Sequence, residues 1–359
     1  MPPSERIPAL TTPQAEAPDA DPVASAALAA DPERALALLR GGELQIHGQL
    51  TEASNGVFYC TVSDSAGQAV VVYKPVRGER PLWDFPDGTL AGREVAAYLV
   101  AAATGWGLVP PTVLRDGPFG EGMCQVWVES DPEARLLDLQ DAKEPAEGWR
   151  AIGRADVGGG RTALLVHAED ARLRRLAVLD AVINNADRKG GHLLPAVDGR
   201  LYGIDHGVTF AVPGKLRTLL WGWAGEPLDD EAVTALTGLS DQLKGTLADD
   251  LAPLLTAAEI DALRERVAEL LGSGLHPVPS GEWPAVPFSV SLPAPRRRRP
   301  RGPSGRLRQA ASRCTRIRPN LSPRASTTSS RPPARMCRRA KSRSSCSRSR
   351  AWPRPMFRA

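Results

Sequence analysis

Three short runs of apolar and β-branched residues open the patterned part of the chain. Their sequences are ELQIHGQL, VFYCTVSD and AVVVYKP, and the residues between them are turn formers, first Ser54-Asn55-Gly56 and then Ser65-Ala66-Gly67-Gln68. Runs of this length that are bounded by such residues are typical of β-strands joined in hairpins. The pattern therefore predicts an antiparallel meander between residues 43 and 75.

Helical spacing of apolar residues follows in residues 89–105. Thr89 is a suitable N-cap for this helix and Gly105 is a suitable end. The predicted buried face carries Val95, Tyr98, Leu99 and Ala102. A further strand, GMCQVWVES, is predicted after this helix.

The second half of the chain is predicted to be mainly helical. Residues 173–187 repeat apolar side chains at helical spacing and then run into a polar loop. Two more helices are predicted at residues 229–238 and 256–271, and two short strands, HLLPAV and RLYGID, flank the turn Asp198-Gly199.

These elements predict an α+β fold, with an antiparallel sheet in residues 41–128 and a mainly helical part in residues 129–288. Residues 1–40 are rich in Pro, Ala and acidic residues, and we expect disorder there apart from a short helix at Glu33–Leu39. Residues 289–359 are rich in Arg, Pro and Ser with no apolar period, so we expect disorder there as well.

The basic tail dominates the overall charge. The formal charge is +4, but residues 290–359 hold twenty Arg and one Lys with no acidic residue, so the rest of the chain carries a net charge of about −17. Clustered arginine binds nucleic-acid phosphates, yet GC-rich DNA translated in the wrong frame has the same composition. A nucleic-acid partner is therefore expected only if the tail is a genuine product.

The chain lacks the sequence marks of a membrane or secreted protein. No run approaches the roughly 18 apolar residues of a membrane span, and no N-terminal stretch has the pattern of a signal peptide. Cys60 and Cys124 stand outside any metal-ligand spacing. We expect a cytoplasmic protein whose cysteines are reduced structural thiols.

Four charged residues stand in the order in which a kinase fold supplies its catalytic groups. Phosphoryl transfer requires cations and a divalent metal on the phosphates and a carboxylate that orients the acceptor hydroxyl. Lys74 ends an apolar strand, where a buried amine requires an anionic partner, and Glu94 on the next helix is the candidate. Asp187 follows a buried helix, and Asp205 follows a strand eighteen residues later. Taken singly, each residue is equally typical of a solvated strand end, a helix surface or a turn.

Two segments resemble a known kinase family. They are YKPVRGERPLWDFPDGTLAGREVAAYLV and VLDAVINNADRKGGHLLPAVDGRLYGIDHGVTF, and they are similar to a bacterial family, common in actinobacteria, of phosphatidylinositol 3- and 4-kinase-like proteins. The pair Asn185-x-Asp187 also resembles HipA-type serine/threonine kinases. The resemblance covers about residues 43–288 and implies a bilobal protein-kinase-like fold.

The resemblance implies a site for ATP and Mg²⁺. It implies that Lys74 holds the ATP phosphates and that Glu94 pairs with Lys74. Asp187 would orient the acceptor hydroxyl, and Asp205 would bind the metal.

Adenine and phosphate contacts are also implied. The implied hinge, which would bind adenine through its backbone, is Gln125, Val126, Trp127, Val128 and Glu129. The first strand turn, with Ser54 and Asn55, is a weaker candidate for contact with the phosphates, and an ordinary hairpin turn is its other interpretation.

The chain departs from the family pattern at three places. His192 stands where both kinase families have a metal-binding Asn, and His206 replaces the usual Phe after the metal Asp. Imidazole is a softer ligand than amide oxygen, so His192 as a ligand favours Mn²⁺, although it could instead contact phosphate or pack. The stretch after His206 carries only Lys215 and Arg217 as basic residues, which disfavours an anionic lipid substrate.

Three functions are therefore open. The first is a phosphotransferase acting on a protein Ser/Thr or a small hydroxyl compound, with lipid less favoured. The second is a nucleotide-binding pseudokinase that scaffolds a partner protein, which the presence of His192 suggests. The third is nucleotidyl transfer on the same fold.

Overall fold

The computed structural model describes residues 28, 31–50, 56–65, 67–86, 88–158 and 160–287, and of the tail only the backbone of residues 317–318. The chain divides into two units, Met1–Leu321 and Ser322–Ala359, and every described residue lies in the first. The expectations for residues 1–27 and for most of the tail fall outside the described residues and stay predictions.

A five-stranded antiparallel sheet forms the N-terminal part. Its strands are β1 (Glu43–Gln49), β2 (Phe58–Asp64), β3 (Gly67–Pro75), β4 (Thr112–Gly117) and β5 (Gly120–Val126), in the order β1-β2-β3-β5-β4. The first three strands form the predicted meander. β5 begins before the run GMCQVWVES and ends at Val126, and Ser130 at the end of that run pairs with Ala196 in the C-terminal part.

Different helices cover the two faces of this sheet. α1 (Pro32–Gly41) packs Leu38 into a cluster with Phe58, and α2 (Leu90–Ala103) packs Val95 against Met123. Phe58 and Met123 point to opposite faces, since side chains alternate along each strand and the register pairs Phe58 with Tyr73 and Lys74 with Met123. The face beneath α2 is therefore the face that carries Lys74.

Helices dominate the C-terminal part, as predicted. They are α3 (Ala171–Val182), α4 (Asp230–Gln242), α5 (Thr246–Leu251) and α6 (Ala257–Ser273). Three short 3₁₀ helices, Val76–Gly78, Gly190–His192 and Trp221–Trp223, lie between the longer elements. Local capping starts the helices: Thr89 accepts the Gly92 amide of α2 at 2.8 Å, as predicted, and Thr256 and Glu259 form a capping box at α6.

A second sheet lies where the sequence pattern indicated no strands. It contains β6 (Leu137–Gln140), β7 (Trp149–Gly158) and β8 (Arg161–Ala168), with β11 (Ile317–Arg318) beside β7, in the order β11-β7-β8-β6. Strand β7 has two register irregularities, at Ala151/Gly153 and at Asp156/Gly158. Such bulges break the alternation of apolar and polar residues, so β7 shows no period of two in the sequence.

The predicted hairpin before the metal motif is present, although it is shorter than expected. Strands β9 (Leu193–Pro195) and β10 (Leu201–Gly203) pair around the turn that contains Gly199. The architecture as a whole is α+β, with the antiparallel sheet in the N-terminal portion and most helices in the C-terminal portion, which confirms the predicted fold class.

Two smaller expectations can also be compared with the structure. Within the described part of the chain, no helix has the length and apolar character needed to cross a membrane. Cys60 and Cys124 are free and buried, and burial raises the pKa of each thiol to about 12. Both cysteines are therefore inert parts of the core, as expected.

Candidate functional site

Lys74, near the end of β3, carries the central positive charge of the site. Its Nζ donates to Glu94 Oε1 at 2.7 Å and to Asp205 Oδ1 at 2.5 Å. Burial by itself lowers the pKa of an amine, but the two carboxylates outweigh that effect and raise the pKa of Lys74. The amine is therefore charged at neutral pH and has the anionic partners that its place on an apolar strand requires.

Glu94 on α2 joins the two parts of the protein. Its side chain is buried, and its second oxygen, Oε2, accepts the backbone N–H of His206 at 2.8 Å. One carboxylate thus holds both the end of β3 and the segment that follows β10. The structure brings together the predicted pair of Lys74 and Glu94.

Asp205 stands two residues after β10 in a strained backbone conformation. Its φ is 59°, in the left-handed region that few residues other than glycine adopt and that Asp tolerates better than most. The Lys74 amine lowers the pKa of Asp205, so its carboxylate is ionised at neutral pH. The side chain is 44% exposed and faces the cavity described below. Strain of this kind concentrates at functional sites.

Asp187 lies in the loop after α3 and is flanked by two cations. Its carboxylate is 2.6 Å from Lys189 Nζ and 3.5 Å from the Arg217 guanidinium. Its backbone N–H donates to Asn185 Oδ1 at 3.0 Å, which fixes the loop. The arrangement places positive charge next to the carboxylate that was predicted to orient the acceptor.

His192 approaches the same carboxylate as Lys74, from the other side. Its Nε2 lies 3.4 Å from Asp205 Oδ2, and its buried Nδ1 has no hydrogen-bond partner among the described residues. Burial lowers the pKa of His192, so the ring is neutral at pH 7. Two ligand atoms that share a cation at about 2.1 Å each lie roughly 3 Å apart, so the His192–Asp205 geometry fits a shared Mg²⁺ or Mn²⁺.

These side chains line one cavity of about 560 Å³. The predicted residues on its wall are Lys74, Glu94, Asp187, His192 and Asp205. The volume lies in the range of small-molecule sites. No group of three or more His, Cys, Asp or Glu side chains in the described ranges is arranged to hold a metal ion. A cation bound here would therefore take further ligands from phosphate oxygens or water, as Mg²⁺ commonly does.

The predicted hinge lies beside this cavity rather than on its wall. Residues 125–129 are absent from the lining formed by the described residues, and Gln125 donates to Thr112 Oγ1 at 2.9 Å inside the sheet. Trp127 lies on the same sheet face as Lys74, and its ring meets Tyr59 edge-on at a centroid distance of 5.4 Å. Tyr59 and Trp127 together form an aromatic surface on the cavity side of the sheet, and of the two only Trp127 was among the predicted site residues.

The first strand turn was the weaker candidate for contact with the phosphates. Ser54 and Asn55 lie outside the described residues. Gly56, the next residue, lines the cavity, and its N–H donates to Gly78 O at 3.1 Å.

A buried polar cluster that was not predicted from the sequence supports the loop that carries Asp187. Asp180 on α3 accepts hydrogen bonds from Asn185, from Arg188 and from Thr218 at distances between 2.8 and 3.1 Å. Arg188 also donates to His206 Nε2 at 2.7 Å. Because arginine only donates, that nitrogen is the acceptor and the proton of His206 sits on Nδ1. Burial lowers the pKa of His206, which keeps the ring neutral.

A sequence signal for this cluster existed. Asp180 lies on the apolar face of the predicted helix, because it is spaced at helical intervals from the apolar residues of that face. It is seven residues after Leu173, four after Leu176 and three before Ile183. A carboxylate on such a face requires hydrogen-bonding partners. Arg188 in the following loop was the available cation.

A segment between β3 and α2 borders the cavity and is tied to the C-terminal part. Lys215 is buried, with its Nζ 3.1 Å from the Asp84 carboxylate and 4.9 Å from the centroid of Phe85. The rings of Trp83 and Trp283 lie within 5.7 Å of the same amine. The two basic residues noted after His206 are therefore both engaged within the protein, Lys215 here and Arg217 at Asp187.

Comparison with known proteins gives two similar sequences. The chain is 50% identical over 262 residues to protein Rv2133c of Mycobacterium tuberculosis, a match that covers 69% of this chain and 94% of that protein. It is 27% identical over 231 residues to phosphatidylinositol 4-kinase gamma 4 of rice, Oryza sativa subsp. japonica, covering 53% of this chain and 36% of the rice protein. No known protein-family model matches the chain.

Solved structures with a similar fold are distant. The Golgi casein kinase matches with a TM-score of 0.43 and 14% sequence identity, and the match covers 67% of this chain and 75% of the kinase chain. The structure of the same kinase with Mn/ADP bound matches with a TM-score of 0.44 and 15% identity, and covers 68% of this chain and 75% of the kinase chain. The Helicobacter pylori proinflammatory kinase CtkA has 0.33 at 11% identity over 66% of this chain and 94% of its own. At TM-scores below 0.5, these likenesses say nothing about the chemistry of this chain.

Proposed function

We propose that this chain, which belongs to the family of the Mycobacterium tuberculosis protein Rv2133c, is an ATP-dependent phosphotransferase that acts on a hydroxyl acceptor. The observation that carries the proposal is the contact of one amine, Lys74 Nζ, with Glu94 at 2.7 Å and Asp205 at 2.5 Å, beside Asp187 in one cavity. The rice relative, whose name is that of a phosphatidylinositol 4-kinase, supports phosphoryl transfer in general terms.

Each residue has a role in such a reaction. Lys74 would bind the ATP phosphates, and Glu94 would keep its amine charged and in place. Asp187 would orient the acceptor hydroxyl and take its proton as the acceptor oxygen attacks the γ-phosphorus and the bond to ADP breaks. Lys189, which flanks Asp187, would stabilise the charge on the transferred phosphoryl group.

Asp205 and His192 would hold the divalent cation. Bound there, Mg²⁺ or Mn²⁺ would neutralise charge on the phosphates. The hard carboxylate suits either ion, whereas the neutral imidazole of His192 favours Mn²⁺.

The acceptor is better matched to a protein Ser/Thr or a small hydroxyl compound than to a lipid. Binding of an anionic headgroup would call for free basic residues after Asp205, and the sequence has only two between residues 208 and 223. Lys215 is buried against Asp84, and Arg217 donates to Ala186 O at 2.6 Å as well as approaching Asp187. These contacts leave little charge for a lipid headgroup.

Labelled ATP provides the direct test. The full chain is incubated with ATP carrying the label on either the γ- or the α-phosphate, in Mg²⁺ or Mn²⁺, and the products and the protein itself are analysed by mass spectrometry. Transfer of γ-label is the expected result. Transfer of α-label would replace the proposal with nucleotidyl transfer.

Substitution of Lys74 tests whether the nucleotide binds in this cavity. Lys74→Met is expected to weaken nucleotide binding about tenfold or more, since a hydrogen bond between charged groups is worth about 1.5–3 kcal/mol. Lys244→Met is the matched control, because Lys244 is 71% exposed and lies outside the cavity. Equal nucleotide affinity in the parent and both variants would contradict the assignment of the nucleotide site to this cavity.

A nucleotide-binding pseudokinase scaffold is the second candidate. One observation favours it: His192, rather than an amide, stands beside Asp205 at 3.4 Å. Saturable ATP binding without turnover in either metal would identify this function.

A further inference from the structure

A second cavity, of about 670 Å³, shares no lining residue with the active-site cavity. Its wall comes from the start of α1, the end of α2 with the loop that follows it, the start of α3, and the β9–β10 turn. The wall therefore joins the N-terminal and C-terminal parts of the fold. Nothing in the proposed phosphotransferase reaction uses this space.

The cavity combines aromatic walls with arginine. The aromatic residues are Tyr98, Trp106 and Tyr202, and the cations are Arg172, Arg175 and Arg200. Two of the rings, those of Tyr98 and Tyr202, belong to buried residues, so they are held rigidly by the core. Planar, rigid side chains of this kind bind rings at small conformational cost.

The charged residues that line the cavity are all arginines, and their acidic partners Asp170, Glu231 and Asp198 lie outside the lining. No acidic residue is among the described residues that line the cavity, whereas residues 1–289 together carry a net charge of about −17. Arg172 is committed to Asp170 and to the Gly199 carbonyl. Arg175 and Arg200 are the cations with capacity for a ligand.

The hydrogen bonds of these two arginines are incomplete. Arg175 donates to Glu231 at 2.9 Å through one terminal nitrogen, and its buried Nε has no partner among the described residues. Arg200 donates to the Tyr202 hydroxyl at 3.2 Å and lies 3.6 Å from Asp198. A guanidinium group has five donors, so each retains donors for an anion.

We propose that this cavity binds a small anionic ligand that carries a ring. Arg175 and Arg200 bind its anionic group, and the aromatic wall, chiefly the partly exposed ring of Trp106, packs against its planar part. The volume fits a ligand of this class, and the mixture of apolar walls with a few convergent polar groups is typical of small-molecule sites. The proposal is independent of the phosphotransferase activity, since neither arginine lines the active-site cavity.

Calorimetric titration of the full chain, with no nucleotide present, tests the site with 2-naphthyl phosphate as the probe. We expect 2-naphthyl phosphate to bind at least about tenfold more tightly than either 2-naphthol or inorganic phosphate, because it engages both the rings and the arginines. A parallel titration with 2-naphthoate distinguishes a phosphate from a carboxylate preference, and tight binding of either supports the site.

Two substitutions locate the binding. Arg200→Gln changes a half-exposed turn residue, and Arg175→Gln changes a residue on α3. Each substitution is expected to lower the affinity for the probe about fivefold to tenfold. Arg161→Gln, on the exposed start of β8, is the matched control and is expected to change nothing. Thermal unfolding confirms that each variant is folded, and in the parent the probe should raise the melting temperature.

Three results would overturn the proposal. The first is the absence of saturable binding of both naphthyl anions. The second is an unchanged affinity in Arg200→Gln and Arg175→Gln alike. The third is loss of probe binding in Lys74→Met, which would assign the probe to the cavity that Lys74 lines.

Discussion

Two clusters that each pair a basic side chain with an aspartate lie close together in this protein, and they differ in burial. In the cavity cluster Lys74 contacts Glu94 and Asp205, and the Asp205 side chain is 44% exposed. In the cluster beneath the loop that carries Asp187, Arg188 pairs with Asp180 at 2.8 Å, and both side chains are 0% exposed. The first can exchange its contacts for those of a ligand, and the second cannot without unfolding the loop.

The two clusters also differ in how many hydrogen bonds their aspartate carboxylates accept within the protein. The Asp180 carboxylate receives bonds from Asn185, Arg188 and Thr218, which leaves no oxygen for a ligand. Asp205 has one oxygen on Lys74 and the other 3.4 Å from His192. A buried, saturated ion pair costs stability when it is broken, whereas an open one is available for binding. We therefore expect a substitution of Asp180 to lower the free energy of unfolding, and a substitution of Asp205 to lower the activity.

The largest expected effect is that of Asp205→Asn. Asn tolerates the left-handed backbone at this position but removes the charge that would hold the cation. We expect phosphotransferase activity to fall about a thousandfold or more, with little loss of stability. Initial rates and urea unfolding of the same preparation measure both. Full activity in this variant would break the contrast between the clusters.

Asp180→Ala should show the opposite pattern. Removal of one partner leaves Arg188 charged and buried, so the free energy of unfolding is expected to fall by about 3–5 kcal/mol. Urea denaturation measures it, and Asp241→Ala, which breaks an exposed ion pair with Lys244, is the control with little expected change. If Asp180→Ala is as stable as the parent, the buried cluster does not have the structural role assigned to it.

His192 should show a smaller effect, visible in metal preference and pH. As a ligand it must be neutral, and burial lowers its pKa below 6.5, so Mn²⁺-dependent activity should hold down to about pH 6.5 and fall only at lower pH. His192→Asn is expected to shift preference toward Mg²⁺ by several-fold and to remove that acid limb, whereas His192→Ala should lose most activity.

Initial rates of the parent and both His192 variants in each metal, between roughly pH 5 and 8, check this expectation. The same metal preference and pH profile in all three proteins would remove His192 from the site. The cavity cluster would then hold a cation through Asp205 without the imidazole.

The smallest expected effect is that of the tail. Both clusters lie within residues 74–218, so a chain that ends at Phe288 should keep the activity and the melting temperature of the full chain. Thermal unfolding of the two forms checks this. A drop of several degrees would show that the pairing of β11 with β7 contributes to stability.

The sequence alone was sufficient for the elements with a clean period. The meander β1–β3, helix α2 with its Thr89 cap, and helix α3 are present with ends within a few residues of those predicted. Local rules determine such elements, because strand alternation, helical spacing and capping each depend on neighbours in the chain. The order of Lys74, Glu94, Asp187 and Asp205 was likewise visible without a structure.

Only the tertiary structure decided which of these charges are open and which are saturated. Asp180 and Asp205 are the same residue type, 25 positions apart, and their different burial follows from packing between α3, the loop that carries Asp187 and β10 rather than from local sequence. The bulged strand β7 and the arginine-lined second cavity were hidden for the same reason. Contacts between distant residues carry no local period, so they become visible only when the chain is folded.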